Sequence, residues 1–151
     1  MGNYESLKIK NQLCFPLYAA SKEIVKLYYP YLTALNLTYT QYITMMVLWE
    51  EKRISVKELG AKLYLDSGTL SPVLKSLEKK GYISRHRLPE DERIVIVEIT
   101  IEGNNLRESA SEIPEKLMRC TALSHNDTVV LYTLLYKLLD NIRDAGNGEE
   151  K

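Results

Sequence analysis

Apolar side chains recur at the three- and four-residue spacing of helices over most of the chain. In the first such segment, residues 11–34, Asn11 can cap a helix. Pro16 is tolerated there because the amides of a first helical turn lack partners anyway. The pattern therefore predicts a first helix that starts around Cys14, and Asn36 closes the segment.

Capping residues mark the starts of the next three helices. Residues 38–41 (Thr-Tyr-Thr-Gln) and 55–58 (Ser-Val-Lys-Glu) have the capping-box form, in which two side chains satisfy each other's backbone donors. Asp66 can cap the third of these helices, which Gly81 would stop. Two short helices joined by a tight turn predict a helix-turn-helix between residues 55 and 81.

The pattern then changes to that of strands. Residues 82–88 and 94–99 are rich in β-branched side chains and flank a short polar turn, which predicts a β-hairpin. Beyond it, Thr100 can cap a fifth helix that Pro114 can kink, and residues 124–127 can cap a sixth. The predicted fold class is mostly α with a small β-hairpin, in the order of a winged helix-turn-helix.

The sixth helix carries a broad apolar stripe over residues 130–142, more than one helix of a small domain needs to bury. Together with the apolar first helix, this stripe favours a homodimer in which the terminal helices pack against a second subunit. The alternative is that both helices fold back on their own domain. The predicted organisation is a single domain over residues 1–151, with dimerisation helices at 7–36 and 101–145, a winged helix-turn-helix for DNA binding at 37–100 and a disordered tail at 146–151.

Composition narrows the class of protein. The 151 residues are 45% hydrophobic and 26% charged, enough for one buried core. Two cysteines cannot form a disulfide framework, no zinc-ligand spacing is present, and no apolar run is long enough to span a membrane. We expect a soluble cytoplasmic protein with no membrane association. We also expect no cofactor, no metal site and no enzymatic activity, because phosphate loops, catalytic triads and paired carboxylates are missing from the sequence.

The charge distribution points to a polyanion contact in the middle of the chain. Net charge is zero, but residues 53–93 hold 9 basic and 6 acidic side chains, a balance of +3. Arg93 lies beside Asp91 in the predicted hairpin turn at residues 89–93, the right place for a cation that enters a minor groove. The other candidate DNA contacts are Arg85 and Arg87 along the hairpin, and Asp66, Ser67, Thr69, Ser71, Pro72 and Lys75 on the second helix of the helix-turn-helix.

Three segments of this region resemble the MarR family of winged-helix regulators: LDSGTLSPVLK (65–75), LEKKGYI (77–83) and DER (91–93). NQLCF (11–15) and LTY (37–39) are similar to its organic-hydroperoxide-sensing branch, which includes OhrR, MgrA and SarZ. The resemblance covers roughly residues 7–145. It implies a homodimer that represses transcription at a pseudo-palindromic site in double-stranded DNA until Cys14 is oxidised. It also implies that Tyr28 and Tyr39 reach Cys14 from the other subunit.

The chemistry of Cys14 agrees with this implication. A thiol at a helix N-terminus is favoured as the thiolate, which peroxides convert to a sulfenic acid and then to a disulfide or higher oxides. An inert buried cysteine is the alternative. Cys120, near the end of the fifth helix, is a possible resolving cysteine; otherwise a small external thiol would complete the reaction.

Three functions therefore stay open from the sequence. The first is a redox-responsive DNA-binding repressor that answers to organic hydroperoxides. The second is a regulator of the same fold that responds to a small phenolic or apolar ligand in a tyrosine-lined cleft. The third is a helical dimer that binds a protein partner and no DNA. The tyrosines considered for the cleft are Tyr18, Tyr28, Tyr29, Tyr31, Tyr39 and Tyr42.

Overall fold

The computed structural model describes residues 4–148, and within them seven α-helices and three β-strands follow two 3-10 helices. The 3-10 helices are Glu5–Leu7 and Ile9–Asn11. The later elements are α1 (Cys14–Ala34), α2 (Tyr39–Glu51), β1 (Arg53–Ser55), α3 (Val56–Leu63), α4 (Ser67–Lys79), β2 (Ile83–Leu88), β3 (Asp91–Ile99), α5 (Ile101–Ala110), α6 (Ile113–Thr121) and α7 (His125–Gly148). They divide into two compact units, Met1–Ile113 and Pro114–Lys151.

The caps predicted for α2, α3, α4, α5 and α7 are confirmed. Both capping boxes are complete, with Thr38 paired with Gln41 and Ser55 paired with Glu58. The side chains of Asp66, Thr100 and Ser124 accept backbone N–H groups at the starts of α4, α5 and α7. Gly81, at a φ of 77°, follows the end of α4 in the left-handed conformation that glycine adopts without strain.

The start of α1 differs from the expectation in one respect. The helix begins at Cys14, as predicted, but Asn11 does not cap it. Asn11 instead ends a 3-10 helix and donates from Nδ2 to the carbonyl oxygen of Glu5 at 2.8 Å, while Leu13 occupies the N-cap position without a side-chain bond. The side-chain amide of Asn11 is therefore bonded within the 3-10 segment that precedes α1 and does not bond to the first turn of α1.

The hairpin is part of a three-stranded antiparallel sheet of order β1-β3-β2. The prediction missed β1, in which Ile54 pairs with Val97 of β3. The turn is also shorter than predicted, because Leu88 pairs with Asp91 and only residues 89 and 90 lie between the strands. Arg93 therefore lies near the end of the hairpin but within β3.

The predicted fifth helix is two helices. Proline lacks an N–H, and its ring clashes with the carbonyl four residues earlier. Pro114 stands four residues after Ala110, where α5 ends, and falls in the first turn of α6, which begins at Ile113. The expected kink is therefore a break. Of the tail expected at residues 146–151, the structure describes helix to Gly148, and residues 149–151 lie outside the described part.

The core of the first unit joins α2, α3, α4 and the sheet. Trp49 of α2 donates from Nε1 to the carbonyl oxygen of Gly103 at 2.8 Å and so connects α2 to α5. A Cβ on Gly103 would lie 2.1 Å from the carbonyl oxygen of Tyr82, so only glycine permits this approach of α5 to the residue before β2. The fully buried apolar side chains are Met45, Leu48, Leu59, Leu70, Leu74, Leu77 and Val97.

In the second unit, α7 leaves a row of large apolar side chains exposed on the single chain. No helix among residues 4–148 has the length and apolarity needed to cross a membrane. The exposed apolar side chains of α7 are Val129, Val130, Leu131, Tyr132, Leu134, Tyr136 and Ile142.

Candidate nucleic-acid interface and thiol site

The helices α3 and α4 form the predicted helix-turn-helix. Tyr64 follows α3 at a left-handed φ of 55°, and Asp66 begins α4 by accepting the backbone N–H of Thr69 at 2.8 Å. The turn lies so close to α3 that a Cβ on Gly60 would be 2.8 Å from the carbonyl oxygen of Leu65. The bonds from Thr69 hold the pKa of Asp66 below its usual value. Asp66, a predicted DNA-binding residue, is thus engaged as the cap of α4.

The two faces of α4 have opposite character. Leu70, Leu74 and Leu77 are buried and attach the helix to the core. The other face carries hydroxyls, a proline ring and a cation, the groups that contact base edges, thymine methyls and phosphates in a major groove. Apart from Asp66 at the cap, the structure brings the predicted contacts of this helix to that exposed face: Ser67, Thr69, Ser71, Pro72 and Lys75.

The end of the hairpin presents two arginines. The guanidinium of Arg93 donates to both carboxylate oxygens of Asp91 at 2.9 Å, and its side chain is 90% exposed. This contact holds the pKa of the Asp91 carboxyl below its usual value. Arg87 is also exposed and donates from Nη1 to the carbonyl oxygen of Glu92 at 2.6 Å. Both cations are therefore held by local partners while they face solvent.

Arg85 has a different environment. Its guanidinium donates to Oε2 of Glu78 from Nη2 at 2.7 Å and from Nε at 3.2 Å, and its backbone N–H donates to Oε1 at 3.2 Å. The Arg85 side chain is 27% exposed, and Arg85 lowers the pKa of Glu78 through the hydrogen bond. Arg85 thus ties β2 to the last turn of α4. Nothing in the sequence pattern indicated this role for Glu78, because a glutamate on a helix is usually a solvated charge.

Three of the tyrosines form a cluster between α1 and α2. The ring centroids of Tyr28 and Tyr39 are 5.0 Å apart, and Tyr42 lies 5.6 Å from Tyr28 and 6.5 Å from Tyr39. Burial raises the pKa of all three phenols, that of Tyr42 to about 12. Tyr18 and Tyr29 are exposed and do not belong to the cluster.

Cys14 is an exposed, free thiol at the first position of α1. Tyr28 lies on the same helix, and fourteen residues at ~1.5 Å each separate the two by about 21 Å along the axis. Within residues 4–148, no hydrogen bond joins Cys14 to Tyr28 or Tyr39. A contact between the thiol and these phenols therefore requires a second chain. Cys120, in α6, is also free and exposed.

The described residues, 4–148, include no group of three or more His, Cys, Asp or Glu side chains that could hold a metal ion.

Comparisons with known proteins identify the family. Residues 26–110 match the family described as the transcriptional regulator SarA/Rot. The organic hydroperoxide resistance transcriptional regulator of Bacillus subtilis (strain 168) is 45% identical over 141 residues, which cover 93% of this chain and 96% of the relative. The chain belongs to the OhrR/SarZ branch of the MarR family. This confirms the resemblance that the sequence motifs indicated.

Another relative and a solved structure agree with this assignment. The regulator SarZ of Staphylococcus haemolyticus (strain JCSC1435) is 40% identical to this OhrR/SarZ-type chain, over 88% of the chain and 90% of the relative. The solved structure of reduced AbfR bound to DNA superposes with a TM-score of 0.75 at 31% identity, covering 91% of this chain and 96% of that one. The winged-helix fold and the assignment as a transcriptional regulator rather than an enzyme are confirmed.

Proposed function

We propose that this OhrR/SarZ-type regulator is a cytoplasmic homodimeric repressor that binds a pseudo-palindromic DNA site and releases it when an organic hydroperoxide oxidises Cys14. The observation that carries the DNA-binding part is the exposed polar face of α4. Lys75 and the hydroxyls on this face have no core-facing role, whereas Leu70 and Leu74 on the opposite face fix the helix to the core. A helix held in this way can enter a major groove as a rigid element.

The hairpin is proposed to reach the neighbouring minor groove. Arg93 and Arg87 are exposed at its end, where a cation is attracted by the negative potential of a narrow groove. Asp66 and Arg85 are engaged in the cap of α4 and in the ion pair with Glu78. We therefore assign both to holding the reading elements in place rather than to contacts with bases.

A dimer is proposed because the single chain leaves apolar surface exposed on α1 and α7, which a second copy would cover. In α1 this surface includes Phe15 and Ile24, and in α7 it includes Leu134 and Ile142. Sedimentation of the reduced protein at micromolar concentration should give a dimer. A monomer would contradict both the dimer and the model of two DNA half-sites.

Cys14 is the proposed sensor because it is a free thiol at the first position of α1 and is exposed, so that a peroxide can reach its sulfur. The thiolate attacks the outer peroxide oxygen and the O–O bond breaks, so that Cys14 becomes a sulfenic acid; the alkoxide that leaves takes a proton from solvent and becomes an alcohol. Tyr28 and Tyr39 of the other subunit are proposed to donate hydrogen bonds to the reduced sulfur. Their raised pKa values keep both phenols protonated and able to donate. A small external thiol then attacks the sulfur of the sulfenic acid, the S–O bond breaks, water leaves and a mixed disulfide forms at Cys14.

The test compares C14S with C120S as its matched control. DNA affinity is measured before and after cumene hydroperoxide plus a small thiol, on a duplex that the reduced wild-type protein selects from a random library. Wild type and C120S should release the duplex, whereas C14S should bind it and retain it. Release by C14S would overturn the sensor assignment. Retention by C120S would make Cys120 the resolving cysteine instead of an external thiol.

A further inference from the structure

A partly buried polar cluster connects the tyrosine end of α2 to the recognition helix α4. Its centre is Gln41, which is only 6% exposed. Gln41 donates from Nε2 to the hydroxyl of Ser76 on α4 at 2.9 Å, and its Oε1 accepts from Nζ of Lys80, the C-cap of α4, at 2.8 Å. The partners of Gln41 are 35 and 39 residues away in sequence, so the cluster is a tertiary connection and not part of a single helix.

The same side chains also fasten the joint between α1 and α2, residues 36–38. Lys80 donates from Nζ to the carbonyl oxygen of Asn36 at 2.5 Å, and Asn36 has a left-handed φ of 54°. Oε1 of Gln41 accepts the backbone N–H of Thr38 at 3.1 Å. Tyr39, whose ring touches that of Tyr28, is the next residue along the chain. One cluster thus holds both the segment beside the tyrosines and the last turn of α4.

Hydrogen bonds make this contact sensitive to direction and distance, whereas packing in the apolar core is not directional. Packed leucines tolerate small sliding movements, whereas a hydrogen bond weakens steeply with distance and angle. Burial makes a broken bond costly, because a buried polar group without a partner loses its solvation. Partial burial also lowers the pKa of Lys80. Movement of the joint therefore displaces the end of α4 rather than leaving it in place.

We propose that Gln41, Ser76 and Lys80 are positioning residues that transmit a displacement of the α1–α2 joint to the recognition helix. The inference rests on the proposed function, since the displacement originates at Tyr39 when the partner's Cys14 is oxidised. Coupling of this kind is measured as a ratio, the dissociation constant for DNA after oxidation divided by that before oxidation.

The test measures this ratio for S76A and K80M, on the duplex described above and with cumene hydroperoxide as the oxidant. S76A removes only the acceptor for Gln41, and K80M removes the cation but keeps the length of the side chain. K79M is the matched control, because Lys79 is the exposed neighbour of Lys80 and loses the same charge. S76T is the conservative variant, since it keeps the hydroxyl.

We expect S76A and K80M each to lower the ratio by about fivefold or more, a typical size for allosteric coupling. K79M and S76T should keep the wild-type ratio. The double variant S76A/K80M should lower the ratio no further than the stronger single variant, because both act in one cluster.

Two other outcomes separate the failures. If wild type itself shows a ratio near one, the proposed sensor function fails and the inference fails with it. If wild type responds, and both variants show a lower melting temperature with an unchanged ratio, the cluster is merely structural and the inference alone is overturned. S76A keeps the test valid if K80M does not fold.

Discussion

Replacement of Arg93 with alanine tests the proposed minor-groove contact. The side chain is almost fully exposed and its only hydrogen-bond partner within residues 4–148 is Asp91, so little of the fold depends on it. An arginine contact in a groove changes affinity by about tenfold, at the low end of the range for specific contacts. A dimer presents two hairpins to one DNA site. R93A should therefore raise the dissociation constant by about a hundredfold.

The salt dependence gives a second measure of the same loss. Each neutralised phosphate contributes about 0.9 to the slope of log affinity against log salt. If each Arg93 neutralises one phosphate, the slope should become shallower by about 2 for the dimer. The melting temperature should stay close to that of wild type, because exposed ion pairs contribute little to stability. Fluorescence anisotropy titrations over a series of salt concentrations measure both the affinity and the slope.

Two variants control for charge. R119A removes an arginine from the exposed Arg119–Glu115 pair of α6, outside the winged region, and should leave DNA affinity unchanged. D91N removes a negative charge that repels DNA but also the carboxylate that orients Arg93. We expect D91N to weaken binding, because orientation outweighs the gain in charge. The reasoning is refuted if R93A binds within twofold of wild type at moderate salt, or if D91N binds more tightly.

Three further predictions concern the stability of the fold. G103A should lower the free energy of unfolding by about 1–3 kcal/mol, the usual cost of overpacking, because the Cβ of the alanine would clash with the carbonyl oxygen of Tyr82. Urea denaturation measures this free energy. Burial raises the pKa of Tyr42 to about 12. The neutral phenol therefore contributes its full stabilisation of the fold when the pH is below the ordinary pKa of tyrosine, and this stabilisation is lost as the pH rises towards 12. Y42F should therefore lose stability less steeply than wild type in urea titrations between about pH 9 and about pH 12. Arg85 lowers the pKa of Glu78. The ion pair therefore stabilises the fold when the pH is above the ordinary pKa of glutamate, and this stabilisation is lost as the pH falls through the lowered pKa of Glu78. E78Q should cost about 0.5 kcal/mol at neutral pH and flatten the acid limb of thermal unfolding; an unchanged acid limb would contradict the ion pair.

Local chemistry explains which parts of the fold could be predicted. A capping box such as Ser55 and Glu58 involves residues three apart, and Gly81 stops a helix through its own backbone freedom. These features depend on neighbours in sequence, so the pattern alone was sufficient. The exposed face of α4 followed for the same reason, because the spacing of Leu70 and Leu74 fixes which side of the helix is buried.

Tertiary pairing explains what the sequence could not provide. Strand β1 has only three residues, and it forms because Ile54 pairs with Val97 of β3, which lies more than forty residues later in the sequence. The ion pair of Arg85 turned a candidate DNA contact into a brace between β2 and α4. Gln41 was identified only as half of a capping box, although its amide also reaches Ser76. The sequence predicted a kink at Pro114 within one helix, whereas the structure has two helices, α5 and α6, on either side of a break.

The position of Trp49 has a practical consequence. It is the single tryptophan of the chain, it is buried, and its ring lies 6.2 Å from that of Tyr42. Its indole N–H is bonded to Gly103 at the start of α5. Intrinsic fluorescence therefore comes from one defined place, between the tyrosine cluster and the helix that follows the wing. Emission wavelength and tyrosine-to-tryptophan energy transfer can follow the arrangement of these elements in unlabelled protein, in the same cuvette as a DNA titration.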